Sequence, residues 1–238
     1  MSKLPGGLSI VLPAYNEEHN IGKTLNSILE YIPKITEDFE IIVVNDGSTD
    51  NTADILNDFA SRHEQIIGIA HEKNRGYGAA LKSGFEKVAK EFIFFMDSDG
   101  QFDITDLTKL LYFIGEYDIV SGIRMERKDP LLRDINGTIF NFAMKFIFGI
   151  PITDVDCAFK LFRRDVLKRI NLCTNGALIN TEIFIKAKRN HKRIMLVGVE
   201  HYPRLMGKQS GASLKVIIRA IGEIFILMRN LKEERSPQ

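Results

Sequence analysis

The sequence has few of the features that mark several large classes of protein. Its 238 residues include only two cysteines, Cys157 and Cys173, too few for a disulfide framework and compatible with a reducing compartment and no zinc site. No uninterrupted apolar run reaches the ~18 residues of a membrane-spanning helix. The polar start, residues 1–7, lacks the apolar core of a signal peptide. We therefore predict a cytoplasmic protein, and contact with the inner face of the membrane stays open.

Neither sign of charge is in excess. Lys and Arg total 32 and Asp and Glu total 31, so the formal net charge is +1, and nothing in this balance points to a nucleic-acid partner. There is no internal repeat or low-complexity segment. The hydrophobic fraction of 45% and the charged fraction of 26% are typical of a globular protein that is long enough to bury a full core.

Short apolar runs alternate with stretches of helical spacing along the first half of the chain. The runs predict strands at residues 8–12, 40–44, 66–70, 92–96 and 118–121. Strands that alternate with helices over short connections are typical of βαβ units. The sequence therefore predicts an α/β fold with a mostly parallel central sheet flanked by helices.

The pattern is looser after Ile123. It predicts a phenylalanine-rich helix, a loop leading into a strand, a helix, a strand and a last amphipathic helix, at residues 139–148, 153–162, 180–188, 194–199 and 214–231. A glycine-rich basic segment, residues 204–213, is expected to be mobile. The charged tail, residues 229–238, is expected to fray.

Two carboxylates follow the most apolar run. Phe92–Met96 leads directly into Asp97 and Asp99, just past a strand end, where open α/β sheets bind their ligands. Two acidic groups this close repel each other unless a cation lies between them. Aspartate oxygens suit Mg²⁺ or Mn²⁺, and these ions also bind phosphates. The alternative is that Asp99 or Asp103 only caps the helix that follows.

Polar clusters also follow the first two strands. Tyr15 and Glu17 come after the first strand and Asp46 after the second, so parallel pairing would bring them to the same edge of the sheet as the two carboxylates. Asp46 can accept hydrogen bonds from a nucleotide base, and its other interpretation is an ordinary turn aspartate. Together these clusters predict a metal-assisted enzyme that acts on a nucleotide diphosphate.

Three motifs at strand ends resemble those of a known family. Residues 13–18 (Pro-Ala-Tyr-Asn-Glu-Glu), 44–50 (Val-Asn-Asp-Gly-Ser-Thr-Asp) and 97–101 (Asp-Ser-Asp-Gly-Gln) look like the motif series of inverting family 2 glycosyltransferases with the GT-A fold. Within that family the chain most resembles dolichol-phosphate mannose synthases and polyprenyl-phosphate glycosyltransferases. The resemblance covers residues 8–215. Asn45 departs from the paired aspartates that are usual in the second motif.

The resemblance implies a donor site for a nucleotide-diphospho sugar, with GDP or UDP as the nucleotide. Asp97, Asp99 and Gln101 would bind one Mg²⁺ or Mn²⁺ that bridges the diphosphate, and residues 204–211 would close over it. Arg75 could meet a phosphate from a neighbouring loop. The candidate nucleotide-sugar-binding residues are Pro13, Tyr15, Glu17, Val44, Asp46, Arg75, Asp97, Ser98, Asp99 and Arg204.

The acceptor implied by the resemblance is a polyprenyl or dolichyl phosphate. Arg124 and Arg133 resemble family arginines, and guanidinium groups bind phosphates in bidentate fashion. A lipid phosphate is ionised and needs no general base, whereas a sugar hydroxyl would need one, with Asp156 or Glu182 as candidates. The candidate catalytic residues are Asp97, Asp99, Arg124, Arg133, Asp156 and Glu182.

The implied organisation is one GT-A domain over residues 1–213, followed by the helix and tail at 214–238. Its nucleotide-binding half spans about 8–122 and its acceptor half about 123–213. Both late helices, 139–148 and 214–231, have apolar faces that suit the membrane interface. The alternatives for these faces are packing on the sheet and a homodimer contact.

Three other functions stay open. The same donor chemistry could transfer sugar to a hydroxyl group in cell-wall, exopolysaccharide or glycolipid synthesis. A nucleotide-binding oxidoreductase is suggested by the Gly-x-Gly of residues 75–81, although Leu81 stands where a third glycine belongs. The last is a nucleotide-sugar-binding protein without catalysis.

Overall fold

The computed structural model describes Leu4, residues 6–125, Met144, residues 146–149, residues 154–204, Met206 and residues 214–234, with side chains from residue 219 onward in the last segment. The predicted polar segment around Arg133, most of the phenylalanine-rich helix and the loop at 207–211 lie outside these residues. Of the phenylalanine-rich helix, Met144 and residues 146–148 are described and are helical.

Seven strands form one sheet in the described part of the chain. They are β1 Leu8–Ala14, β2 Phe39–Asn45, β3 Ile66–Ala70, β4 Phe92–Met96, β5 Ile119–Arg124, β6 Phe159–Arg163 and β7 Ile194–Val199, in the order β3-β2-β1-β4-β6-β5-β7. Only β6 runs antiparallel to its neighbours, β4 and β5, and the other pairs are parallel. The predicted mostly parallel α/β sheet is confirmed.

Helices cover this sheet. The described ones are α1 Ile21–Tyr31, α2 Thr52–Arg62, α3 Tyr77–Phe85, α4 Leu107–Leu111, α5 Arg164–Lys168, α6 Ile179–Arg189 and α7 Leu214–Glu233, with 3₁₀ turns at Ile32–Lys34 and Ile104–Asp106. Among the residues described, no helix combines the length and apolar character needed to cross a bilayer. The short α5 was not predicted from the sequence.

The expectation that residues 229–238 fray is wrong for residues 229–233, and residues 235–238 lie outside the described part of the chain. Helix α7 continues to Glu233 because its last turn is tied to α6. The buried Lys186 Nζ donates to Asn230 Oδ1 at 2.6 Å and to Glu234 Oε1 at 2.8 Å. Leu227 and Leu231 of α7 pack with residues of α6 in a small second core.

The main core lies along β1 and β4. Every residue of these two strands is buried, which explains why their sequences are continuous apolar runs rather than alternating ones. Phe94 meets Phe159 edge to face at a centroid distance of 4.7 Å, and Phe95 stacks on Phe162 at 5.7 Å. These contacts fix β6 beside β4, so the residues just before Phe159 lie at the edge where β4 ends.

Candidate active site

The carboxyl ends of the parallel strands bring the predicted motifs to one edge of the sheet. Ala14 pairs with Asn45, and Val11 pairs with Phe95 one residue before β4 ends. Because β6 is antiparallel, its first residue, Phe159, pairs with Met96. The edge therefore collects the loops after β1, β2 and β4 together with the segment that precedes β6.

Asp97 carries a buried oxygen atom without a hydrogen bond. Its Oδ1 is shut off from solvent and has no hydrogen-bond partner among the described residues. Burial and, second, the charge of Asp99 raise the pKa of Asp97 from 3.8 to about 7, whereas the Tyr77 hydroxyl lowers it. A buried carboxylate oxygen that makes no hydrogen bond, next to a second carboxylate, is the environment that a cation relieves.

These residues fit a divalent cation whose ligands come partly from the substrate. No third histidine, cysteine or carboxylate joins Asp97 and Asp99 in a metal-holding cluster within the described ranges. Mg²⁺ is commonly held by one or two carboxylates, with substrate phosphates and water as the other ligands. Gln101 is buried, and its Nε2 donates to the Tyr202 carbonyl at 2.9 Å, so only its Oε1 is left for the predicted role as a ligand.

Arg204 lies against this acidic pair from the far end of the chain. Its Nη2 is 2.7 Å from both carboxylate oxygens of Glu17, and its Nη1 is 3.6 Å from Asp99 Oδ2. The side chains of Arg204 and Glu17 are each 10% exposed. Asn20 Nδ2 also donates to Glu17 at 2.8 Å. Glu17 thus holds the arginine that partly balances Asp99, rather than standing free to bind a base or ribose.

Asp46 organises the turn between β3 and α3. Its Oδ1 is 2.6 Å from His71 Nδ1 and accepts from Arg75 N at 2.9 Å, while its Oδ2 accepts from Gly76 N at 2.8 Å. His71 Nε2 lies 2.9 Å from Ser83 Oγ. Asp46 is 3% exposed, and these contacts leave little of its carboxylate for the predicted base contact.

The sequence reasoning missed His71. Its position was the available signal, because it is the first residue after β3 and so lies at the same edge of the sheet as Asp46. Of the other predicted donor-site residues, Tyr15 is 37% exposed and Arg75 has an exposed side chain. Val44 is fully buried in the core, and Ser98 Oγ donates to the Pro13 carbonyl at 2.8 Å. Val44, Ser98 and Pro13 therefore shape the candidate site from inside the protein.

Arg124 is paired with Asp154 inside the protein. Its N and Nε donate to Asp154 Oδ2 at 2.9 and 3.0 Å, and its Nη2 donates to Oδ1. Although burial alone would lower the pKa of Arg124, the Asp154 carboxylate raises it above its ordinary value. This pair argues against a free phosphate clamp at Arg124. Arg133 lies outside the described residues.

Glu182 lies in the first turn of α6, and both of its carboxylate oxygens accept hydrogen bonds within the protein. It accepts from Cys173 N at 2.7 Å, Thr174 N at 2.8 Å and Thr174 Oγ1 at 2.6 Å, and lies 3.1 Å from Lys186 Nζ. Burial alone would raise its pKa, but the hydrogen bonds from Thr174 and Cys173 hold that pKa below 4.5. A carboxylate so stabilised is a poor proton acceptor, which argues against the predicted role of general base.

Asp156 keeps the geometry of a base candidate. It lies three residues before β6, at the edge where Asp97 follows β4. Its charge raises the pKa of Tyr77, as does the charge of Asp97, although burial is the largest cause. The charges of Asp156 and Asp97 therefore both act on the Tyr77 hydroxyl.

Lys160 is a second residue that the sequence reasoning missed. It is fully buried, and its Nζ donates to the Val155 carbonyl and to Asn180 Oδ1, both at 3.1 Å, and also to the Cys157 carbonyl. Burial lowers the pKa of Lys160 to about 8. The ammonium group thus fixes the segment that carries Asp156 against the start of α6.

The Gly-x-Gly turn before α3 serves close packing. A Cβ atom at Gly78 would lie 2.7 Å from the Gly176 carbonyl oxygen, and Ala79 N donates to the Asn175 carbonyl at 3.1 Å. The loop at 175–176 therefore covers the helix N-terminus where an oxidoreductase of this type would place a dinucleotide pyrophosphate. This contact argues against the oxidoreductase interpretation.

The family model described as glycosyl transferase family 2 matches residues 9–170. The chain belongs to glycosyl transferase family 2. The matched region contains all three motifs and the strands that position them. The family predicted from those motifs is confirmed.

Curated relatives from bacteria resemble most of this family 2 chain. The undecaprenyl-phosphate 4-deoxy-4-formamido-L-arabinose transferase of Pectobacterium atrosepticum is 28% identical over 212 residues, which cover 88% of this chain and 64% of the relative. The enzyme of the same name from Pseudomonas fluorescens is 29% identical over 213 residues, covering 88% and 62%. The chain thus spans a little under two thirds of the length of these relatives.

Solved structures share the fold at lower identity. Glucosyl-3-phosphoglycerate synthase from Mycobacterium tuberculosis, in complex with Mn²⁺, UDP and phosphoglyceric acid, superposes with a TM-score of 0.67 and 20% identity, over 92% of this chain and 78% of that one. S. aureus TarS in complex with UDP-GlcNAc gives a TM-score of 0.62 and 21% identity, over 87% and 61%. These likenesses confirm the predicted GT-A fold.

Proposed function

We propose that the chain transfers a sugar from a nucleotide-diphospho sugar to a polyprenyl phosphate, with inversion at the anomeric carbon. The observation that carries the proposal is the pair Asp97 and Asp99 at the end of β4, with a buried oxygen on Asp97 that lacks a hydrogen bond. Family membership supports the sugar transfer. The relatives named for undecaprenyl-phosphate sugar transfer support the lipid phosphate as acceptor.

The donor side uses carboxylates and arginines of the sheet edge. Asp97 and Asp99 would hold Mg²⁺ or Mn²⁺, which when bound neutralises the leaving diphosphate. The Nη1 atom of Arg204 lies 3.6 Å from Asp99 Oδ2, which supports a contact between its guanidinium and the same phosphates. Arg75 has an exposed side chain next to the turn that Asp46 holds, which supports a phosphate contact there.

Transfer to the acceptor depends more on the alignment of the two substrates than on proton transfer. A phosphate monoester is ionised near neutral pH, so its oxygen can attack the anomeric carbon without a general base. Most of the rate would then come from alignment of the two substrates and from stabilisation of the charge that develops on the diphosphate. This chemistry needs no general base, which is consistent with the hydrogen bonds that hold Glu182 within the protein.

A second candidate function is transfer to a sugar hydroxyl, which the position of Asp156 favours. A hydroxyl acceptor requires a base near the site, and Asp156 lies three residues before β6, whose first residue, Phe159, pairs with Met96 at the end of β4. Loss of a general base typically costs about 10²–10⁴-fold in rate. The effect of Asp156→Asn on turnover therefore separates the two candidates.

A transfer assay tests the proposal. The chain is supplied with Mn²⁺, a panel of UDP- and GDP-sugars, and either undecaprenyl phosphate or undecaprenol, which differ only in the phosphate group. We expect product with undecaprenyl phosphate and none with undecaprenol. The transfer rate should fall at least about 100-fold in Asp99→Ala and change little in Asp156→Asn. Asp103→Ala is the matched control, because Asp103 caps the next 3₁₀ turn through Thr105 N. Transfer to undecaprenol, or an active Asp99→Ala variant, would contradict the proposal.

A further inference from the structure

Helix α7 contacts the turn that precedes α3, although the two are far apart in the sequence. The Nη2 atom of Arg219 donates to the Arg75 carbonyl at 2.7 Å, across 144 residues of chain. The same turn is held from its other side by Asp46, whose carboxylate accepts from the N–H groups of Arg75 and Gly76. The turn is therefore fixed by two partners, the loop after β2 and the last helix.

Gly76 shows how closely α7 approaches this turn. Its φ angle is +107°, in a region of backbone conformation that glycine adopts readily and other residues rarely do. A Cβ atom at this position would lie 2.5 Å from Arg219 Nη1 and 2.6 Å from the Asn175 carbonyl oxygen. The turn, the loop at 175–176 and the guanidinium of Arg219 are therefore in close contact at Gly76, and a side chain there would displace one of them.

Glu223 binds the same loop one helical turn further along α7. It is 5% exposed, and its Oε1 accepts from Asn175 N at 2.9 Å and lies 3.5 Å from Arg219 Nε. Its Oε2 is buried without a hydrogen-bond partner among the described residues. Because a buried charge is costly unless it is paired, Glu223 favours a position of the Arg219 guanidinium between itself and the turn.

We propose that Arg219 is a positioning residue for the donor: it holds the turn at Arg75 and Gly76 in the conformation that binds the sugar nucleotide. This inference rests on the proposed function, in which the Arg75 side chain contacts a donor phosphate. A turn that is ordered before the ligand arrives loses less conformational entropy on binding. Loss of the Arg219 contact should therefore weaken donor binding and leave the chemical step unchanged.

Two measurements on the full chain with Arg219→Met test the inference. The Arg219 side chain is 41% exposed, so the variant should fold. Without ligand, we expect the amide hydrogens of Arg75 and Gly76 to exchange with solvent at least about fivefold faster than in the wild type. In calorimetric titrations with UDP and with GDP, both with Mn²⁺, the affinity for the nucleotide that the wild type binds should fall at least about fivefold. In the transfer assay the donor KM should rise by a similar factor, while kcat changes by less than about twofold.

Arg229→Met is the matched control, because Arg229 lies on the same helix and pairs with Glu233 at the same i, i+4 spacing, at 2.8 Å. It should behave as the wild type in both measurements. Unchanged exchange at Arg75 and Gly76 in Arg219→Met would overturn the inference, and a lower affinity in that case would mean that Arg219 contacts the nucleotide itself. Faster exchange with unchanged affinity would overturn it as well, because the contact would then be structural only. Failure of the proposed function gives a different result, since the wild type would then bind neither nucleotide, and the donor-binding role of Arg219 would fall with it.

Discussion

At the scale of single residues, charge at the end of β4 is the feature that most needs explanation. Asp97 is held in an environment that disfavours its ionised form, because burial and Asp99 both raise its pKa. The protein keeps an unfavourable carboxylate at this position, and no described residue donates to its Oδ1. Sites that store such strain are commonly the sites where a ligand relieves it.

Asp97→Asn should stabilise the metal-free protein at alkaline pH. The folded pKa is about 7 and the unfolded pKa is about 3.9, so the unfolded state releases this proton first. Stability therefore falls as the pH rises from about 4 to 7, and the whole cost is present above pH 7. We expect urea denaturation in EDTA to show the variant more stable by one to a few kcal/mol at pH 8 and nearly equal at about pH 3.5. A variant less stable than the wild type at pH 8 would refute the assignment, and Asp103→Asn serves as the control.

Arg204→Met should destabilise the metal-free protein. The side chains of Glu17 and Arg204 are each 10% exposed, and removal of one partner leaves a poorly solvated charge on the other. The expected loss is about 1–3 kcal/mol in the free energy of unfolding. The prediction fails if the variant unfolds at the same urea concentration as the wild type.

At the scale of elements, the turn between β3 and α3 connects the loop after β2, which carries Asp46, to the rest of the fold. Asp46 ties the end of β2 to Arg75, Gly76 and His71, and the loop at 175–176 packs over the first turn of α3. The same turn therefore has contacts to the donor site and to the half of the chain that contains α6.

Asp46→Ala should cost more stability than Ser83→Ala. The first change leaves two backbone N–H groups without their acceptor, which costs roughly 1–3 kcal/mol for each group. The second removes one hydroxyl contact at the far side of His71, worth about 1 kcal/mol. Urea denaturation of both variants measures the difference. Equal losses would show that Asp46 does not hold this turn.

Gly78→Ala should destabilise the protein even though alanine favours helices. The helix preference is worth up to about 1 kcal/mol, but the new Cβ would lie 2.7 Å from the Gly176 carbonyl oxygen. Relief of that overlap requires backbone movement, typically about 1–3 kcal/mol. Gly115→Ala is the matched control, because nothing lies within 4 Å of its Cβ position. If thermal unfolding showed Gly78→Ala to be more stable than the wild type, the loop at 175–176 would have to move away from the new Cβ atom without a cost in stability.

At the scale of the whole molecule, the sheet topology assembles the candidate site from distant parts of the chain. Apolar runs predicted β3, β4 and β7 at their observed bounds. The run of β4 reflects a parallel strand that is buried at every position, whereas β3 and β7 are edge strands with exposed or half-buried residues. The polar residues after β1, β2 and β4 were predicted to meet at one edge, and the paired ends of those strands do so.

What the sequence could not predict is which side chains pair with each other at that edge. Arg204 and Glu17 are 187 residues apart, and Arg124 and Asp154 are 30 apart, so no local pattern reports either contact. The buried positions of Lys160 and Glu182 follow from the packing of β6 and α6, which no periodicity specifies. Motif resemblance located the candidate site, whereas the assignment of roles within it required the fold.

The most direct test of the account is a calorimetric titration of the chain with UDP- and GDP-sugars, each with and without Mn²⁺. The account predicts that one sugar nucleotide binds tightly with Mn²⁺ and at least about tenfold more weakly without it. That metal dependence should disappear in Asp99→Asn and remain in Asp103→Asn. Binding that is equally tight with and without Mn²⁺ would contradict the central claim that Asp97 and Asp99 form a metal-dependent donor site.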